Sequence, residues 1–162
     1  MREIKFRGKQ LDNGEWVYGA FVPDVLETPD NDLITWGFIR RYNRDIGKTE
    51  TIEVSRESVG QYTGLCDKNG KEIYEGDIVE LTNTYKGMNT KSIVEIDFID
   101  FTFAGKWKEE YSPSGYMYNP LGSYNFPIVT IEVIGNIYEN HRKMSGAGEK
   151  AVVMVWQKGL QA

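Results

Sequence analysis

The chain has one histidine, His141, and one cysteine, Cys66, among 162 residues. A lone cysteine excludes an intrachain disulfide and fits a reducing compartment. One of each also excludes a mononuclear structural zinc built on Cys and His, because such sites need clustered ligands. A Cys–His nucleophilic pair needs the two to meet in the fold and the thiol to ionise. Asp67, next to Cys66, opposes the thiolate, so Cys66 reads as a small, partly buried thiol. Long apolar runs are missing too. Nowhere do roughly 18 consecutive apolar residues occur, as a membrane-spanning helix requires. The opening MREIKFRGKQ is basic but has no apolar stretch behind it, so it does not read as a secretory signal. No glycine run matches a Walker or dinucleotide pattern. No long segment combines helix capping with 3.6-residue apolar spacing, which argues against a helical fold.

What is present reads as strands and turns. Hydrophobic residues make up 40% and charged residues 27%, which suits a folded chain rather than a disordered one. Aromatics reach 13%, mostly in β-branched surroundings that favour strands. The length allows one ordinary domain or two very small barrels in tandem. Ile4 and Phe6 alternate with Glu3, Lys5 and Arg7 as in a half-buried strand. Asp12-Asn13-Gly14 supplies a tight turn, and Trp16 to Val22 returns, so residues 2–22 predict a β-hairpin. Residues 23–32, with two prolines and four acids, predict a loop. Leu33 to Arg40 predicts a strand with Gly37 as a bulge or close-approach point, paired with 51–54 through a 41–50 turn. In 55–59, Ser55 is expected to begin one helical turn by capping the Ser58 amide. Asp67-Lys68-Asn69-Gly70 and Glu75-Gly76-Asp77 predict two turns, the second leading into a strand as at a small-barrel corner. Ser92 to Phe103 predicts one long strand, bent midway because it exceeds the usual length. Residues 128–133 and 136–138 predict strands around Gly135.

The net charge of −5 bears on partners. Phosphate backbones are bound mainly through Lys and Arg, so a globally acidic chain argues against nucleic acid as a general partner. A local basic, aromatic face is the exception, with Arg40, Arg41, Tyr42, Arg44 and Lys48 as candidates. Asp45 and Glu50 are interleaved there, which favours a solvated hairpin end. Glu95 and Asp97 share a strand face and Asp100 follows. Such carboxylates can hold Mg²⁺ or Ca²⁺, but alternating acids are also the ordinary solvent face of a strand. Residues 106–127 are irregular. They set Trp107, Tyr111, Tyr116, Tyr118, Tyr124 and Phe126 among Ser, Gly, Asn and Pro, the mixture that recognition loops use. The competing reading is that these rings close the end of a small barrel. After Asn140 a flexible SGAGEK connector leads to AVVMVWQ. Val152, Val153, Val155 and Trp156 there form an uncharged run that a soluble protein must cover, which predicts self-association through the tail.

The segments IKFRGK, WVYG, VGQYTGLCDKNGKEIYEGDIV and VIGNIYEN together resemble the YopX protein family of phages and prophages of Gram-positive bacteria. The resemblance covers residues 1–140, leaving 141–162 as a C-terminal extension. It implies a cytoplasmic protein of the bacterial host cell, built on SH3-like small barrels, and it implies no catalytic residue or cofactor. The combined expectation is a mainly β fold with additional hairpins and short helices at most. The function expected is that of a non-catalytic phage accessory protein that binds another protein and self-associates. A nucleic-acid-associated small barrel is the alternative, with a carboxylate-metal hydrolase behind it.

Overall fold

Two residues that tolerate a left-handed backbone start the fold. Gly14 sits at φ 71° and donates its N–H to the Gln10 carbonyl at 3.0 Å. The Asn13 side chain accepts the Glu15 N–H at 2.8 Å. This turn joins β1 (Phe6–Lys9) to β2 (Trp16–Glu27) as the hairpin that alternation and turn chemistry predict. A computed structural model describes residues 3–27, 33–87, 89–107, 118–123 and 129–139. Within it the chain divides into two compact units, Met1–Leu65 and Cys66–Ala162.

The first unit continues with β3 (Leu33–Asn43), β4 (Lys48–Val54) and β5 (Gly60–Cys66). Its five strands are ordered β4-β3-β2-β1-β5. One face carries the core: Val17, Ile39 and Val54 are fully buried, with Phe6, Phe21, Ile52 and Val59 packed on them. Each fully buried aliphatic contributes about 1.5–3 kcal/mol. Gly37 is the predicted close-approach point. A Cβ there would lie 2.2 Å from the Phe21 ring. Residues 23–27 are strand, not loop. Pro23 is tolerated because β2 leaves β1 after Gly19, so that edge of the strand needs no donor. Residues 28–32 lie outside the described residues. The helical turn at Arg56–Ser58 forms, but the Ser55 side chain makes no cap. The Ser58 hydroxyl does the work instead, donating to the Ser55 carbonyl at 2.6 Å and accepting the Lys9 N–H at 2.7 Å.

The second unit holds β6 (Glu72–Tyr74), β7 (Asp77–Asn83), β8 (Thr90–Ile99), β9 (Thr102–Lys106), β10 (Tyr118–Pro120) and β11 (Val129–Asn136). A single helical turn follows at 137–139. Strands pair in the order β10-β9-β8-β7-β11, and this antiparallel sheet is open among the described residues. Its core joins Ile73, Val79, Leu81, Val94, Ile96, Phe103, Leu121 and Ile131. The fold is mainly β, as alternation predicts. The single strand expected over 92–103 is two strands, β8 and β9, folded back on each other with Ile99 opposite Thr102.

The phrases that carry the family resemblance hold this unit together. Asp67 is buried, and its carboxylate accepts the N–H groups of Asn69 (2.7 Å), Lys71 (2.9 Å) and Val133 (3.1 Å). The Lys68 N–H donates to the Ile131 carbonyl at 2.9 Å, and the Lys68 ammonium reaches Glu132 at 2.6 Å. The turn at 67–70 is thus fastened to β11. Asp77, also buried, accepts the Tyr74 N–H at 2.8 Å. Gly76, at φ 80°, donates to the Ile96 carbonyl at 2.7 Å and accepts from Ile137 at 2.9 Å. Tyr138 lies so close that a Cβ at Gly76 would stand 2.9 Å from its ring. Asn136 caps the final turn by accepting the N–H groups of Tyr138 and Glu139, both at 3.0 Å.

Candidate functional site

The connection between β8 and β9 uses the wrong residues for its shape. A two-residue hairpin with both central residues at positive φ normally takes Asn-Gly or Asp-Gly. Here the pair is Asp100 at φ 48° and Phe101 at φ 64°. Aspartate tolerates this region, but a bulky side chain there crowds the following carbonyl, at a cost of about 1–2 kcal/mol. The ring gains nothing in return from its own unit, since Phe101 is 97% exposed. Two unfavourable features therefore coincide on one side chain at the tip of a hairpin.

The surroundings of the tip are ordered. Phe98, 49% exposed, packs edge-on against the buried Phe103 with ring centres 5.1 Å apart. That pair links the hairpin end to the core of the second unit. The Tyr118 hydroxyl donates to the Asp100 carboxylate. This hydrogen bond, the larger effect, and partial desolvation hold the Tyr118 phenol above its ordinary pKa. Asp97 accepts its neighbour's N–H at 2.8 Å and meets the Lys106 ammonium at 3.3 Å. The tip thus presents a phenylalanine on a hairpin whose flanking carboxylates are already engaged.

The residues expected to matter fall into several groups. Tyr118 stands beside the tip, on β10. Trp107 is half-buried and packs against the core of the second unit, so its ring is used in packing. Tyr111, Tyr116, Tyr124 and Phe126 lie outside the described residues, as do His141 and the tail residues Val152, Val153, Val155 and Trp156. Glu95, Asp97 and Asp100 do not form a ligand set. Among the described residues no three His, Cys, Asp or Glu side chains gather as a metal site would require. Cys66 is exposed rather than partly buried. Asp67 beside it is held below the usual carboxylate range. Burial pushes its pKa up, but the three amide hydrogen bonds from Val133, Lys71 and Asn69 outweigh burial.

The basic stretch of the first unit divides between the two faces of its sheet. Arg40 is exposed on the face opposite the core, together with Tyr42, which is 64% exposed. Arg41 points the other way and pairs with Glu50 at 3.0 Å. The Asn43 side chain first, then Arg41, holds the Glu50 carboxyl below its usual value. Arg44 and Lys48 flank the exposed β3–β4 turn.

Phe101 was not legible as a site residue because the turn carries no glycine or asparagine. The available signal was a strand pattern too long for one strand, with an acid-aromatic pair where the chain must bend. Among the described residues no helix is long and apolar enough to cross a membrane.

The crystal structure of protein yopX from Bacillus subtilis aligns with 17% identity and a TM-score of 0.48, covering 87% of this chain and 97% of that one. The crystal structure of protein EF1440 from Enterococcus faecalis aligns with 26% identity and a TM-score of 0.43, covering 89% and 99%. No curated protein matches the chain. The family model described as YopX protein matches residues 5–145, so most of the chain falls inside it, including the first residues of the extension, and residues 146–162 fall outside. The chain therefore belongs to the YopX protein family.

Proposed function

We propose that this YopX protein is a phage or prophage accessory protein of the bacterial cytoplasm that works by binding another protein and performs no chemistry of its own. The observation that supports this is Phe101, a fully displayed aromatic held in a left-handed conformation at the β8–β9 tip. Strained, exposed positions persist where function retains them. Aromatic side chains on rigid supports are the residues that dominate protein interfaces. A projecting ring of this kind suits an apolar pocket on a folded partner.

The test sets stability against binding. Phe101→Gly removes the strain and is expected to raise stability by about 1 kcal/mol. The same change should abolish capture of the partner by affinity-tagged protein from lysogenic cells. Equal capture by both proteins, or a less stable variant, would overturn the reading. Self-association through residues 141–162 belongs to the same proposal. Light scattering should find an oligomer for the full chain and a smaller species after deletion of residues 145–162.

A further inference from the structure

Two turns carry the sequence Asn-Gly, at Asn13-Gly14 and Asn69-Gly70, and all four residues are exposed. A glycine after asparagine leaves the next backbone nitrogen without a flanking side chain and with a permissive backbone. That nitrogen can then reach the asparagine side-chain carbonyl carbon. Neither glycine is shielded here, since nothing lies within 4 Å of a Cβ built on either one. The two pairs differ in what holds them.

The Asn69 turn is fastened from several sides. The N–H groups of Asn69 and Lys71 donate to one oxygen of the buried Asp67 carboxylate, at 2.7 and 2.9 Å, and Val133 donates to the other at 3.1 Å. The Gly70 N–H is held by the Asp67 carbonyl at 3.0 Å. The Asn69 side chain hydrogen-bonds to Glu132 on β11. Bringing the Gly70 nitrogen onto the Asn69 side chain means undoing these together.

The Asn13 turn is anchored at its base. The Gln10 N–H reaches the Glu15 carbonyl at 2.9 Å, and the Leu11 N–H reaches the Glu53 carbonyl at 3.2 Å. Beyond Leu11 the bonds are local. Gly14 donates to the Gln10 carbonyl at 3.0 Å, Glu15 donates its N–H to Asn13 Oδ1 at 2.8 Å, and Asn13 Nδ2 donates to the Glu15 carboxylate at 3.4 Å. The Glu15 N–H is aimed at the oxygen that gathers negative charge when the Asn13 Cγ is attacked, and a donor placed there lowers the barrier. The Gly14 nitrogen is released by exchanging one exposed hydrogen bond for one to water, which costs little.

We propose that Asn13 is a site of spontaneous covalent modification, closing on Gly14 to a succinimide that opens to aspartate or isoaspartate. The Gly14 nitrogen bonds to Asn13 Cγ, the Cγ–Nδ2 bond breaks, and the Gly14 proton ends on Nδ2, which leaves as ammonia. Water then opens the ring. Cleavage between Cγ and the Gly14 nitrogen gives aspartate, and cleavage at the main-chain carbonyl gives isoaspartate. Water is consumed, ammonia is released and nothing is oxidised or reduced. Either product makes the net charge of −5 one unit more negative. Aspartate sets a second carboxylate against that of Glu15. Isoaspartate adds one carbon to the backbone in the turn that sets the β1–β2 register. Both weaken the hairpin that starts the first unit. This reading is independent of Phe101.

The test is incubation of the folded full chain for several weeks in neutral and mildly alkaline buffer, with peptides spanning positions 13 and 69 followed by mass spectrometry. Replacement of NH₂ by OH is expected at Asn13, at least about tenfold faster than at Asn69, because the positions of the reacting atoms control such closures. The rate should rise with pH, since the attacking nitrogen must lose its proton. In guanidinium chloride the two rates should converge to within a few-fold, because the restraint on Asn69 belongs to the fold. Asn13→Gln should abolish the mass gain at that position, a six-membered ring closing far more slowly. Asn13→Asp should unfold at a lower denaturant concentration than the parent. An Asn13 that stays intact in the folded chain overturns the proposal, and so do equal rates at the two sites or a faster Asn69. An Asn13→Asp variant as stable as the parent would overturn the effect on the hairpin.

Discussion

The two units treat their aromatic residues in opposite ways. In the first, Trp16 and the buried Tyr62 lie under cations, and Tyr42 stands exposed on the same sheet face as Arg40. In the second, Phe98 leans on the core and Phe101 projects from a strained turn into solvent. A ring paired with cations on a sheet face is held by its neighbours. A lone ring on a projecting tip suits a concave apolar pocket. The contrast teaches that the backbone beneath a ring decides its surroundings: a sheet face sets it against cations, and a strained turn leaves it in solvent.

The contrast is sharpest if the cores tolerate nothing while the exposed rings tolerate much. The largest loss is expected for Ile39→Ala in the first unit and Ile96→Ala in the second, both at fully buried positions. Each should cost about 3 kcal/mol in urea denaturation, and a loss well under 1 kcal/mol would mean the site is looser than its burial indicates. Asp67→Asn should cost about 2 kcal/mol, because three amides lose a charged acceptor.

Asp67 also gives a pH signature. Its folded pKa is below the unfolded value of about 3.9. Its contribution is complete above the unfolded value and is lost as pH falls through the lower folded value. Acid titration of stability should therefore flatten in Asp67→Asn, and an unchanged acid limb would break the assignment. Phe101→Gly is expected to move the other way, gaining about 1 kcal/mol, and a loss would remove strain from the comparison. Smallest of all, Tyr42→Ala should change stability by less than about 0.5 kcal/mol, since its ring is mostly in solvent. A larger cost would mean that the Tyr42 ring packs on its neighbours rather than standing in solvent.

Much of the fold follows from short-range chemistry and was legible in the residues. Asn13-Gly14, Asn69-Gly70 and Gly76 mark turns because only such residues accept a left-handed backbone easily. Alternation assigned β8 its inward Val94 and Ile96 and its outward Glu95 and Asp97. Of the Tyr-rich segment read as a candidate binding loop, Tyr118 stands at the hairpin that carries Phe101, while Tyr111, Tyr116 and Tyr124 lie outside the described residues. Other features could not be read this way. Asp100-Phe101 makes a hairpin without the residues that announce one, because pairing of β8 with β9 holds the turn against local preference. Pro23 sits in a strand because β1 ends before reaching it.

Period, turn chemistry and charge count are properties of neighbours along the chain, and they were enough to determine a mainly β protein and several of the turns that join its strands. Which strand lies beside which is a property of distant segments, and only the tertiary structure decided it. Lys5, Arg7 and Lys9 read as the solvent side of one strand until β2 and β5 place Trp16, Tyr18 and Tyr62 beside them. Asp67 reads as a turn residue until Val133, far along the chain, donates to it. The physical reason is that a side chain's environment in a sheet is set by cross-strand register, which sequence spacing does not encode.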